Sequence, residues 1–186
     1  HSLRANKIRQ LTYEAVDQLL PDNELSLAVK SNLAVMRTLD KLIDQIEKTA
    51  LRKIKLRKEF KPLLSVSGIG NILGLTIMLE TGDIGRFARV SNYASYCRCV
   101  GSEYLSNEKR KGRGNTKNGN KYLAWAYLEA ANFAVRYNPQ IKRYYQRKRA
   151  RTNGIIAIKT VAHKLARACY YILRDQVAFD VNKAFT

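Results

Sequence analysis

Apolar residues recur at helical spacing over most of this chain. Ile8, Leu11, Ala15 and Leu19 repeat every three or four positions, and Pro21-Asp22-Asn23 ends the pattern, so the spacing predicts a first helix up to Leu19. A longer helix is expected from about Glu24 to Phe60. Within it Val35, Leu39, Leu42 and Ile46 step by four, three and four, the spacing of a heptad seam, with Asp40, Lys41, Asp44, Glu47 and Lys48 on its flanks. Thr49 and Lys53 continue the seam poorly, so any coiled coil is short. Residues 1–61 therefore read as a helical strut: an amphipathic hairpin packed on its own domain, or a seam that dimerises or joins domains.

A second domain is expected over residues 62–186. Leu63-Leu64-Ser65-Val66-Ser67-Gly68-Ile69-Gly70 leads into Ile72, Leu73, Leu75, Ile77, Met78 and Leu79, which resembles a helix-hairpin-helix element. Gly68 and Gly70 permit a tight turn whose amides can approach a phosphate; a plain turn between helices is the other reading. A short segment, Ile84 to Phe87, follows Gly82-Asp83, and Ser91 is expected to cap a helix carrying Tyr93, Ala94, Tyr96 and Cys97. Residues 98–116 are rich in Gly and Asn without helical period, so they read as a β-hairpin or an ordered loop. Three helices are expected at about Gly119–Tyr137, Pro139–Arg151 and Gly154–Arg174, with Pro139 in a first turn. The fold class is mostly α: a long helical hairpin or short coiled coil, then a compact helical domain.

Charge changes the picture more than length does. The chain has 186 residues, 46% of them apolar, so it can bury a core. Its 34 Lys and Arg face 15 Asp and Glu, a formal charge of +19. Such an imbalance calls for a polyanion, nucleic acid first and an anionic membrane second. No apolar run approaches the roughly 20 residues of a spanning helix, and no signal peptide is visible, so no membrane partner is expected. The start at His1-Ser2, without Met, suggests a fragment of a longer protein. Cys97, Cys99 and Cys169 form no disulfide framework and point to a reducing compartment; Cys97 and Cys169 fit core positions. His1 and His163 cannot build a histidine metal site, and Glu24, Asp40, Asp44 and Glu47 look like solvated helix charges, so no metal is expected here.

The charge is concentrated. Ser106 stands just before Lys109, Arg110, Lys111, Arg113, Lys117 and Lys121, interleaved with Gly112, Gly114, Gly119, Asn115, Asn118 and Asn120. A serine hydroxyl is a weak nucleophile, but cations at this density would stabilise negative charge on phosphorus. The plain alternative is a solvated turn residue. A second cluster, Lys142, Arg143, Arg147, Lys148, Arg149 and Arg151, contains no acid and is interleaved with Tyr144 and Tyr145, with Arg136 and Tyr137 just upstream. Arginine contacts phosphates and tyrosine stacks on bases, so nucleic-acid contact is favoured over a merely solvated helix. His163 and Arg167 are four apart, which puts them on one helical face. A tyrosine recombinase pair has one residue fewer between them, so a surface or half-buried polar pair is the preferred reading.

Several segments together resemble, in order, the C-terminal domain of the insertion-sequence 110 family of bacterial transposases, also labelled by elements 116 and 902. They are LLSVSGIG, ETGDIGRF, NYASYC, SEYLSNEKRKGRGNTKNGN and AHKLARACYYILRD, spanning roughly Pro62 to Asp180. In that family a serine of a Ser-Ser-Gly segment is the proposed nucleophile, and the alignment carries it to Ser106. Leu105 stands in place of the first serine and Asn107 in place of the glycine. Arg98-Cys99-Val100-Gly101 stands where the family has Gly-Leu-x-Pro. The resemblance implies a RuvC-like N-terminal domain holding divalent metal such as Mg, which would lie outside this fragment and leave it inactive alone. It further implies DNA and a structured guide RNA as partners, assembly through the preceding helices into a homo-oligomer, and a bacterial cytoplasmic setting. Two other readings stay open: a non-enzymatic helix-hairpin-helix module for DNA or RNA, and a helical dimerisation domain.

Overall fold

A computed structural model describes residues 5–100, 103–106, 109–113 and 118–185; at 103–106 and 109–113 the description is of the backbone. The chain divides into compact units of residues 1–50 and 51–186.

In the first unit the expected single helix up to Leu19 is two, α1 (Ala5–Arg9) and α2 (Tyr13–Leu19). The break follows from Thr12, whose hydroxyl accepts the Ala15 amide at 3.2 Å and so starts a new helix. α3 (Asn23–Ile54) is the long helix. The side chain of Asp22 accepts the amides of Glu24 and Leu25 at its start. α2 folds back along it: Asp17 accepts from Ser26 and Lys30, both at 2.6 Å, and Arg37 reaches the Leu11 carbonyl while lying over the Tyr13 ring. Val16 and Leu33 are buried. Within this unit the predicted seam is open: Val35, Leu39, Leu42 and Ile46 are 59%, 53%, 49% and 68% exposed. The helix also stops six residues short of the expected Phe60, because the chain leaves α3 by turns at 55–59.

The second unit is helical around α7 (Lys121–Tyr137) and α9 (Gly154–Asp175). Ala126, Ala130, Ala131 and Ala134 of α7 are fully buried, and their small side chains let neighbouring helices approach closely. α9 contributes Ala157, Val161, Leu165, Ala166, Cys169 and Ile172, all buried at helical spacing. α8 (Pro139–Arg151) begins at Asn138, which accepts the amides of Gln140 and Ile141, with Pro139 in the first turn as expected. α9 begins at Asn153, which accepts from Ile156, and ends at Gln176 in a left-handed conformation (φ 55°). α4 (Phe60–Leu63), α5 (Asn71–Thr81), a 3-10 turn (Ile84–Arg86), α6 (Val90–Tyr96) and the C-terminal α10 (Val181–Phe185) complete the described helices. Ser91 does not cap α6. The cap position falls two residues earlier, at Arg89, and Ser91 lies inside the first turn.

The Gly/Asn-rich segment contains an antiparallel hairpin, β1 (Glu103–Ser106) and β2 (Lys109–Arg113). Tyr104 pairs with Gly112 but Leu105 with Arg110, so Lys111 is the extra residue of a bulge.

Three hydroxyls join α5, α6 and α7 inside the core. Thr81 Oγ1 lies 2.9 Å from the Tyr93 hydroxyl, which lies 2.7 Å from that of Tyr127. Burial holds both phenols well above their ordinary pKa, so they are neutral at any physiological pH. The two rings meet edge to face at 6.3 Å.

Tyr93→Phe would leave Thr81 and Tyr127 both without this partner. It should destabilise the fold by about 2–4 kcal/mol, and Tyr127→Phe, which spares the Thr81 bond, by about 1 kcal/mol. Urea unfolding of the two variants measures the difference; equal costs would show that the chain of hydroxyls has no central member.

Candidate nucleic-acid interface and strand-transfer site

Ser106 is the last residue of β1, paired in register with Lys109 at the start of β2. The hairpin thus brings the candidate hydroxyl's backbone beside the first cation of the run. The bulge at Lys111 lies close by and re-aims the strand that carries Arg110 and Lys111. Arg113 closes the ladder opposite Glu103. Lys117 lies outside the described residues. Lys121 opens α7, exposed, with its ammonium 4.9 Å from the centre of the Tyr122 ring.

Both legs of the hairpin are anchored to the helical body. On the outgoing side, Arg98 takes a left-handed backbone (φ 54°), and the Cys99 amide donates to the Ala94 carbonyl at 3.0 Å. On the returning side, Gly119 (φ 92°) packs so tightly that a Cβ would sit 2.5 Å from the Tyr96 carbonyl oxygen. The Arg98 guanidinium joins the two legs, donating to the Gly119 carbonyl from Nε at 3.1 Å and from a terminal nitrogen at 2.9 Å. Asn120 then caps α7, accepting from the amides of Tyr122 and Leu123. Its own amide donates to Glu80 at 2.6 Å and to the Tyr96 hydroxyl at 3.4 Å. That second bond, followed by one from Arg86, holds the Tyr96 phenol below its ordinary pKa. Arg86 also lies over the rings of Phe87 and Tyr96, 4.5 and 4.6 Å from their centres.

α8 resolves the second basic cluster by face. Ile141 is buried and Tyr144, Tyr145 and Lys148 are half-buried, the i, i+3, i+4, i+7 pattern of an inward face. Lys142, Arg143, Arg147, Arg149 and Arg151 are exposed, and Arg143, Arg147 and Arg151 stack one turn apart. Among the described residues none of these cations has a carboxylate partner. Tyr144 and Tyr145 are not free to stack on bases as the sequence suggested. Tyr144 packs edge to face on Phe185 of α10, with ring centres 5.3 Å apart, and the Tyr145 hydroxyl lies beside Gly154.

The two glycines of the Gly-Ile-Gly turn have different roles. Gly68 (φ 92°) lies against α7; a Cβ there would be 2.2 Å from the Ala130 carbonyl oxygen. Its conformation serves helix packing. Gly70 immediately precedes α5, and a Cβ there would meet nothing within 4 Å. It borders an open groove of about 550 Å³ that also includes Ile72, Phe133 and Tyr137, with no acidic residue in its lining. Phe133 and Tyr137 stack at 6.4 Å and 7°, with Tyr137 70% exposed.

Other sequence candidates fall outside the site. Cys97 and Cys169 are buried as expected of core residues, and burial raises all three thiols, Cys99 and Cys169 to about 12. His163 is half-buried; burial, then Arg167 and Lys164, lowers its pKa, so it is a neutral helix residue. Among the described residues no three His, Cys, Asp or Glu side chains gather where they could hold a metal ion. No described helix is long and apolar enough to cross a membrane. Sequence reasoning missed Glu80 and Arg98. Glu80 had a signal, a lone carboxylate closing an apolar helix in an acid-poor chain; the contacts of Arg98 had none.

Gly68→Ala should lose about 3 kcal/mol or more, since backbone atoms of α7 cannot yield to the new methyl. Gly70→Ser should stay within about 0.5 kcal/mol of the parent, because serine is also a good residue to precede a helix. Thermal unfolding separates the two; a stable Gly68→Ala would contradict the packing described.

Among curated proteins no sequence matches this chain. The model of the transposase IS116/IS110/IS902 family matches residues 61–146, from α4 through the hairpin and α7 to the middle of α8. Residues 61–146 of this chain are therefore similar to a domain of the IS116/IS110/IS902 family of transposases.

Proposed function

We propose that this chain binds DNA, and structured RNA as well, and that within a full-length transposase it supplies Ser106 as the nucleophile of strand exchange. The observation that carries the reading is the hairpin: it sets Ser106 in register with Lys109, at the head of a cationic strand, inside the segment that matches the family. In the proposed step the Ser106 oxygen gives up its proton and attacks a DNA phosphorus. A serine–phosphate bond forms, the bond to one deoxyribose oxygen breaks, and that oxygen leaves with a proton. Attack of the exchanged strand's hydroxyl reverses the sequence and frees the serine. The β2 cations offset the charge that builds on phosphorus. Any divalent metal comes from outside the described residues.

The exposed Arg143, Arg147 and Arg151 stripe supports backbone contact, and the open Phe133–Tyr137 stack beside Gly70 supports contact with an unpaired base. The uncovered seam on α3 supports assembly between copies. Sedimentation checks this last point: the parent should self-associate and Leu39→Ala/Leu42→Ala should not, while an equally monomeric parent would refute it.

Binding to duplex DNA and to structured RNA should weaken steeply with salt. Arg143→Ala/Arg147→Ala/Arg151→Ala should reduce the slope of log affinity against log salt by about 2–3. An unchanged slope would remove α8 from the interface.

The chemistry is tested in the full-length protein with its DNA and RNA. A trapped protein–DNA adduct should map to Ser106 and vanish in Ser106→Ala, with DNA affinity kept within about twofold, since phosphate contacts from cations dominate binding. Ser102→Ala should still form it. An adduct on Tyr104, or full exchange by Ser106→Ala, discards the serine mechanism and leaves a non-enzymatic binding module.

A further inference from the structure

Asn120 makes more hydrogen bonds than a helix cap requires. Its Oδ1 accepts from Tyr122 and Leu123 at 2.8 and 3.0 Å, its Nδ2 donates to Glu80 at 2.6 Å, and its backbone amide donates to the Tyr96 carbonyl at 2.6 Å. One residue therefore ties the end of α5, the end of α6 and the start of α7. It follows directly on Gly119, whose carbonyl is gripped by Arg98 from the other leg of the hairpin. Capping alone would be served by aspartate as well as by asparagine. The Glu80 bond would not, because only the amide has a donor to give a carboxylate.

We propose that Glu80 and Asn120 are positioning residues for strand transfer: their hydrogen bond clamps the returning leg of the β1–β2 hairpin to the helical body and so fixes where Ser106 is presented. The proposal rests on the reading of Ser106 as nucleophile. Glu80 sets the orientation of the Asn120 amide, Asn120 sets the entry of the chain into α7, and Gly119 and Arg98 pass that constraint to the outgoing leg. A left-handed Arg98 and a left-handed Gly119, tied to each other by hydrogen bonds, hold the chain together at positions 98 and 119 on either side of the hairpin. A displacement of about 1 Å at a reacting atom is enough to slow a reaction roughly 100-fold.

Asn120→Asp separates the clamp from the cap. Aspartate still caps α7, but its second oxygen meets the Glu80 carboxylate instead of donating to it. In the full-length protein kcat for strand exchange should fall roughly 100-fold at neutral pH with KM for DNA unchanged. Exchange should recover as pH is lowered, when one carboxyl of the pair takes a proton and becomes a donor. Adding Glu80→Gln should restore it at neutral pH, because the glutamine amide then donates to the introduced aspartate, the same bond in the reverse sense. Amide hydrogen exchange over residues 103–113 gives a second readout that needs no chemistry: faster in Asn120→Asp, restored in the double variant.

Unchanged amide exchange in Asn120→Asp, or no rescue by Glu80→Gln, overturns the clamp. If the hairpin loosens and is rescued as expected while Ser106→Ala still exchanges strands, the clamp stands and the serine reading falls.

Discussion

The second unit depends on a buried line of hydroxyls. Thr81, Tyr93 and Tyr127 come from α5, α6 and α7, and each lies where an unpaired oxygen would carry the full cost of desolvation. The bonds between them count for more than their individual strength, because a shift of any one helix would strand an oxygen on another. The Tyr170 hydroxyl adds a bond to the Phe87 carbonyl at 2.9 Å and so brings α9 to the same centre. Around it α7 and α9 supply alanines, which allow close approach, and larger side chains that fill the remaining space. The helices that carry the site are thereby held in one arrangement.

The site is built outward from that centre. Tyr96 is three residues beyond Tyr93 and Asn120 is seven before Tyr127, so the hydroxyl line also sets the two points from which the hairpin leaves and returns. Polar bonds among Glu80, Tyr96, Arg98, Gly119 and Asn120 fix the chain where it leaves α6 and enters α7, on either side of a strand pair that carries four cations. A two-stranded ribbon has little stability of its own. The proposed clamp assigns the presentation of that ribbon to a carboxylate and an amide beside its base.

Positive charge and neutral core are kept apart. Lys142, Arg143, Arg147, Arg149 and Arg151 lie on the outward arc of α8, and among the described residues of the second unit Thr81, Tyr93 and Tyr127 bury uncharged hydroxyls. Among the described residues no charged side chain is buried, in a chain that carries +19. The α8 cations are also free of internal carboxylate partners among the described residues, so their charge is available to a polyanion.

The helices of the second unit were legible from periodicity and punctuation: α8 has the expected bounds, and α7 and α9 lie within two residues of them. Apolar spacing and capping asparagines are local properties, so local reading finds them. The ordered series of motifs likewise overlaps the segment that the family model matches. The break at Thr12, the start of α6 before Ser91 and the early end of α3 were not legible, because each turns on which backbone groups find partners. Heptad spacing placed Val35, Leu39, Leu42 and Ile46 on one face of α3, but spacing cannot say what covers a face. Gly68 and Gly70 look alike in the sequence; only the approach of α7 assigns one to packing and leaves the other open. Composition alone gave the excess of positive charge, +19, from which a polyanionic partner is expected. The tertiary structure decided that Glu80 and Asn120, forty residues apart, meet at 2.6 Å, since no local signal couples positions that long-range packing brings together.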